Sequence, residues 1–140
     1  MVYRVLLLLG WQALDYIDKE EKMTVFTTQI KAIGPEAQSL RESQMMILFG
    51  EEAPAMLAEF CYTIEVKSIH DAIKVGQNII FDDVPYFITA VGDVVKQNLT
   101  SLGHITIKFD GAREAELPGT LYVEGKNLPN VQVGSTIEIV

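Results

Sequence analysis

Cysteine and histidine are scarce in this chain of 140 residues: Cys61 is its only thiol, and His70 and His104 its only imidazoles. A lone cysteine excludes an internal disulfide, and together with two histidines it cannot supply a zinc cage at familiar spacings. Such thiol usage fits a reducing cytoplasm. Basic residues are also few, 11 Lys and Arg against 19 Asp and Glu, for a net charge of −8 and a pI near 4.7. No basic cluster is available to grip nucleic-acid phosphates or anionic lipid, so neither is an expected partner. The longest aliphatic run, Val5 to Leu9, is far short of the roughly 20 residues of a spanning helix, and no direct membrane insertion is expected. There is no phosphate-cradling glycine motif, metal-ligand cluster or nucleophile elbow, so no cofactor is expected.

What is present divides at the second methionine. Residues 1–22 carry a short apolar stretch, Trp11 and the charged tract Asp18 to Lys22. A signal peptide fits poorly, because Gln12 and Asp15 interrupt the apolar region and no small-residue cleavage site follows. An amphipathic helix with Tyr3, Leu6, Leu7, Leu14 and Ile17 on one face is one reading. The other is a start placed too far upstream, since Lys19 to Lys22 would be encoded by a purine run abutting the codon of Met23. The domain expected to fold is 23–140, with 1–22 as an extension.

From Met23 onward, short β-branched and apolar runs alternate with turn residues, the pattern of a small β-barrel or sandwich. Strands are expected at Val25–Ile33, Met45–Phe49, Phe60–Val66, Asn78–Phe81, Val84–Val91, His104–Phe109, Thr120–Val123 and Thr136–Val140. Asp82-Asp83 suits a hairpin turn between the fourth and fifth. Brief helices are expected at Ala53–Phe60, with Pro54 in its first turn, and at Asp93–Leu102, with Asp93 as N-cap and Gly103 as terminator. An internal echo links Lys74-Val75-Gly76 and the strand after it to Gln132-Val133-Gly134 and the strand after it. A glycine turn feeding a half-buried strand is a common way to round a barrel corner, so the echo reads as architecture.

The stretches Ile88 to Gly92, Asn98-Leu99, Leu102 to Gly111 (LGHITIKFDG) and Glu114 to Thr120 (EAELPGT) resemble the glucitol/sorbitol-specific enzyme IIA components of the bacterial sugar phosphotransferase system. Weaker agreement runs through Gly50 to Tyr62 and back to Met23, so the resemblance covers 23–140. It implies a mostly β fold, a small closed β-barrel with one or two short helices. It also implies a cytoplasmic phosphocarrier, which accepts a phosphoryl group on histidine from the histidine-containing phosphocarrier protein. The group then passes to a cysteine of the cognate IIB/IIC permease components during sugar uptake.

In the gapless register the family's acceptor histidine falls three residues after Cys61, at Ile64, which has no nucleophile. Three explanations stand: the role has moved to another histidine, the register is wrong between Cys61 and Gly76, or the protein is a non-phosphorylated binding or regulatory relative. His104 is the first candidate acceptor. On a strand it shares a face with Thr106 and Lys108, whose hydroxyl and ammonium could meet phosphate oxygens, and Gly103 before it would let backbone donors approach an anion. The competing reading is a barrel-rim histidine held by hydrogen bonds. His70 is the second candidate, in a loop where Asp71 could orient the ring in principle. Adjacent side chains on an extended chain point apart, however, and an exposed loop histidine is the plainer reading unless a gap in the register promotes it to the family's acceptor. Glu114 and Glu116, alternating with alanines as on one strand face, could pair as carboxylates, though a solvated acidic edge is the plainer reading. Cys61 reads as a small core residue, and Met45 and Met46 as core filling.

Overall fold

The computed structural model describes residues 24–140. The expectations for 1–22 fall outside the described residues. Eight strands, β1 (Phe26–Ile33), β2 (Met45–Phe49), β3 (Tyr62–Ile64), β4 (Asn78–Phe81), β5 (Val84–Val91), β6 (Ile105–Lys108), β7 (Thr120–Val123) and β8 (Thr136–Ile139), close a barrel in the order β1-β3-β2-β6-β7-β5-β4-β8. The mostly β, closed-barrel expectation holds.

Alternation explains the closure. In β1, Phe26, Thr28 and Ile30 turn inward while Thr27 and Gln29 face out; in β6, Ile105 and Ile107 are inward while Thr106 and Lys108 are outward. The interior is filled by side chains, among them Phe81, Tyr86 and Phe109, with the last two edge to face at 5.0 Å between centroids.

Several local expectations need correction. The helix expected at Ala53–Phe60 is one turn, α1 (Ala55–Ala58), with Pro54 in the cap position. The chain then turns back, Phe60 N–H bonding the Leu57 carbonyl and Cys61 N–H the Ala58 carbonyl, so β3 begins later than predicted. Asp93 does not cap the second helix, α2 (Val95–Leu102): Val94 occupies the cap position without a side-chain bond. The segment holding Glu114 and Glu116 is irregular, and both carboxylates are exposed. A 3₁₀ segment, Ala37–Ser43, anchored by buried Ala37, was not anticipated.

The internal echo extends to the whole barrel. The pairings map onto one another at a spacing of about 58 residues. β1 pairs antiparallel with β3 across an irregularity between Ile30 and Ala32, and β5 with β7 across one between Ile88 and Ala90. β2–β3 and β6–β7 are the two parallel pairs. Gly76 and Gly134 take matching positive φ values of 101° and 97°. Their N–H groups bond to Ile88 and Ile30 respectively, each turn reaching into the other half. The barrel is therefore two intertwined halves about a pseudo-twofold axis that passes between β2 and β6.

Candidate functional site

β2 and β6 are antiparallel, with Leu48 opposite Ile105 and Met45 opposite Lys108. One step beyond this ladder His104 lies across from Phe49. Its half-buried ring stacks on the Phe49 ring, centroids 4.2 Å apart and planes at 21°. His104 Nδ1 lies 3.1 Å from the Leu48 carbonyl oxygen. A carbonyl can only accept, so Nδ1 carries the proton and the neutral ring presents Nε2 as its lone-pair nitrogen. The His104 backbone N–H bonds to the Asn98 carbonyl of α2 at 3.2 Å, which ties the ring's backbone to a helix.

Gly103 serves packing here, contrary to the anion-donor role anticipated for it. It has φ 68°, and its N–H bonds to the Leu99 carbonyl. A Cβ there would lie 2.9 Å from the Gly50 nitrogen. The Gly50 N–H is likewise spent on the Leu102 carbonyl at 2.9 Å.

The shared outward face of His104, Thr106 and Lys108 is present, but its length separates them. At about 3.3 Å per residue, Lys108 stands roughly 13 Å from His104 along the strand. Lys108 and Thr106 line a different feature, a cleft of about 130 Å³ with Met45, Asp110, Glu116 and Tyr122.

His70 is exposed, its N–H bonded to the Val25 carbonyl, while Asp71 spends its carboxylate on the Ala72 N–H at 2.7 Å. Asp71 does not hold the His70 ring, and His70 is the exposed loop histidine of the plainer reading. Ile64 is fully buried opposite Ile30, so its position presents nothing to a partner. Cys61 is buried, its thiol donating to the Leu57 carbonyl, and burial pushes its pKa up, as suits a core residue.

A cleft of about 490 Å³ lies at the opposite end of β2 from His104, lined by Arg41, Gln44, Lys126, Asn127 and Asn130 among others. Its cations are engaged. Arg41 donates to the carbonyls of Pro129 and Leu128, and Lys126 pairs with Glu124 and lies over the Tyr86 ring. Arg41 and the Tyr86 hydroxyl, which donates to the Asn127 carbonyl, tie the segment after β7 to the rest of the barrel. Among the described residues no group of three or more His, Cys, Asp or Glu could hold a metal, and no helix is long and apolar enough to cross a membrane.

Sequence reasoning named His104 as a candidate but not its ring contacts, Leu48 and Phe49. Their signal lies in the β2–β6 register, which no local pattern reveals.

The family described as PTS system glucitol/sorbitol-specific IIA component matches residues 25–138. The chain belongs to this family. Glucitol/sorbitol-specific EIIA components of Shigella flexneri and of Escherichia coli (strain K12) are each 38% identical over 114 residues, 81% of this chain and 93% of the relative. The crystal structure of a PTS system IIA component from Enterococcus faecalis V583 superposes with a TM-score of 0.70 at 28% identity, over 80% of this chain and 97% of that one. The IIA-family barrel thus carries, in this member, a half-buried imidazole with one nitrogen fixed and the other without a hydrogen-bond partner among the described residues.

Proposed function

We propose that this IIA component is a cytoplasmic phosphocarrier of a glucitol/sorbitol-type uptake system and that His104 is its acceptor. The observation that carries the reading is the Leu48 carbonyl bond to Nδ1, with the ring seated on Phe49. Nε2 attacks the phosphorus held on the histidine of the general phosphocarrier protein. A new P–N bond forms as the donor's P–N bond breaks, and the electron pair of that bond returns to the donor imidazole. Positive charge then develops on the His104 ring, and the Nδ1–H bond to the carbonyl strengthens with it. In the second transfer a IIB cysteine thiolate attacks the same phosphorus, an S–P bond replaces the N–P bond, and the neutral ring is restored. Dissociative phosphoryl transfer asks mainly for positioning, which the stack and the fixed tautomer supply.

Incubation with phosphoenolpyruvate and the general phosphotransferase proteins should yield a phosphorylated species. His104→Ala should abolish it, and His70→Ala should leave it intact. Ile64→His should not restore labelling to the His104→Ala variant, because that side chain enters the core. Normal labelling of His104→Ala would remove the assignment. Failure of the intact protein to label at all would leave a non-phosphorylated binding module.

A further inference from the structure

Leu102, two residues before His104, and the β2–β3 connection, which begins one residue after Phe49, carry exposed apolar and acidic side chains. A Cβ on Gly50 would stand 2.6 Å from Val66 Cγ2 and 2.6 Å from the Leu102 carbonyl oxygen, so Val66 and Leu102 converge on the glycine that follows Phe49. Both side chains are nearly half exposed, 46% and 45%. The connection from β2 to β3 leaves that same glycine through a turn closed by the Ala53 N–H and the Gly50 carbonyl. This connection exposes Met56, Leu57 and Phe60, and α1 within it buries none of its residues. These five side chains are half of the ten large exposed hydrophobics among the described residues. A helical turn that contributes nothing to the core is available for something else.

Charge indicates what that is. Between Arg41 and Lys67 the sequence holds Glu42, Glu51, Glu52, Glu59 and Glu65 and no Lys or Arg. Glu65 is neutralised by Lys31 and Lys67. Glu51, Glu52 and Glu59 are exposed, with no cation within ion-pair distance among the described residues. An anionic membrane would be repelled by this rim. A second copy docking face to face would set glutamate against glutamate.

From this combination we infer that the face formed by residues 51–60, Val66 and Leu102 docks a protein with an apolar centre and a basic rim. The identity of that protein as the phosphoryl donor rests on the function proposed above. The contact is small and electrostatically steered, suited to a transient encounter that delivers a phosphorus atom to Nε2 and separates.

The test is a titration of the isotope-labelled protein with unphosphorylated histidine-containing phosphocarrier protein, in which no chemistry occurs. Amide perturbations should concentrate in Gly50–Phe60, Val66 and Leu102–His104. Affinity should fall about tenfold from low to physiological salt, and about tenfold again in the exposed double variant Glu51→Lys/Glu52→Lys. Met56→Ser should weaken binding without altering the salt dependence. Perturbations centred on Thr106–Glu116 or on the Arg41 cleft, affinity indifferent to the charge reversal, or no detectable binding would each overturn the assignment. Phosphoryl uptake measured on the same variants separates the two readings. Mapped binding without uptake leaves the docking face and removes the relay, whereas undiminished uptake in the charge-reversed variant removes the docking face and leaves the relay.

Discussion

The imidazole of His104 lies nearly flat on the ring of Phe49, a cross-strand contact that joins the two halves of the barrel. Stacking removes one face of the imidazole from solvent and, with the Leu48 bond, leaves the ring little rotational freedom. Orientation is then supplied by the fold before any partner arrives.

Phe49→Leu keeps apolar volume and removes the aromatic face. The stacked pair contributes about 1 kcal/mol, so thermal unfolding should show a loss of that order. Phosphoryl uptake, measured where the variant is fully folded, should slow about tenfold. An unchanged uptake rate beside the lowered stability would reduce Phe49 to packing.

The two halves differ at the residues that close their helical segments. Gln44 and Gly103 both occupy left-handed conformations, at φ 59° and 68°. Left-handed backbone costs a residue with a Cβ about 1–2 kcal/mol. Gly103→Ala adds a steric conflict with the Gly50 backbone and should lose about 2–4 kcal/mol in chemical denaturation. Gln44→Gly relieves strain at an exposed site and should gain about 0.5 kcal/mol. Shifts of the same sign in both variants would contradict the account.

Tyr62 and Tyr86 have pKa values raised above the ordinary 10.0, in each case first by burial, with Arg41 opposing the shift. The neutral phenols are favoured in the folded state. Their contribution is therefore complete below pH 10.0 and is lost as pH climbs through the higher folded-state values. Denaturation midpoints should hold steady below that pH and decline above it, and Tyr62→Phe should flatten the decline. A midpoint independent of alkaline pH would count against the burial argument.

Most strands were legible because each carries its own signal. Val84–Val91 is β-branched and bounded by a turn, and Ile105 and Ile107 alternate with polar residues. Helix ends were harder to read. Asp93 has the chemistry of a cap, yet the backbone places Val94 in that position. At Glu114–Glu116 alternation suggested a strand, but strand identity needs a neighbour to bond, and the segment has none among the described residues. His104 was legible as a candidate through its motif and its polar face. Its ring contacts were not: Leu48 and Phe49 sit more than fifty residues earlier and meet the ring through strand pairing alone.

The intertwined halves bring the two ends of the described chain together. Val25 N–H bonds to the Ile139 carbonyl at 2.7 Å, and Phe26 faces Ile139 just as Val84 faces Phe81 across the Asp82–Asp83 hairpin. A short linker joining Val140 to Val25, with a cut between Asp82 and Asp83, would exchange the order of the halves and keep every strand pairing. The barrel is in this sense a closed circuit, and where translation enters it is incidental to its shape.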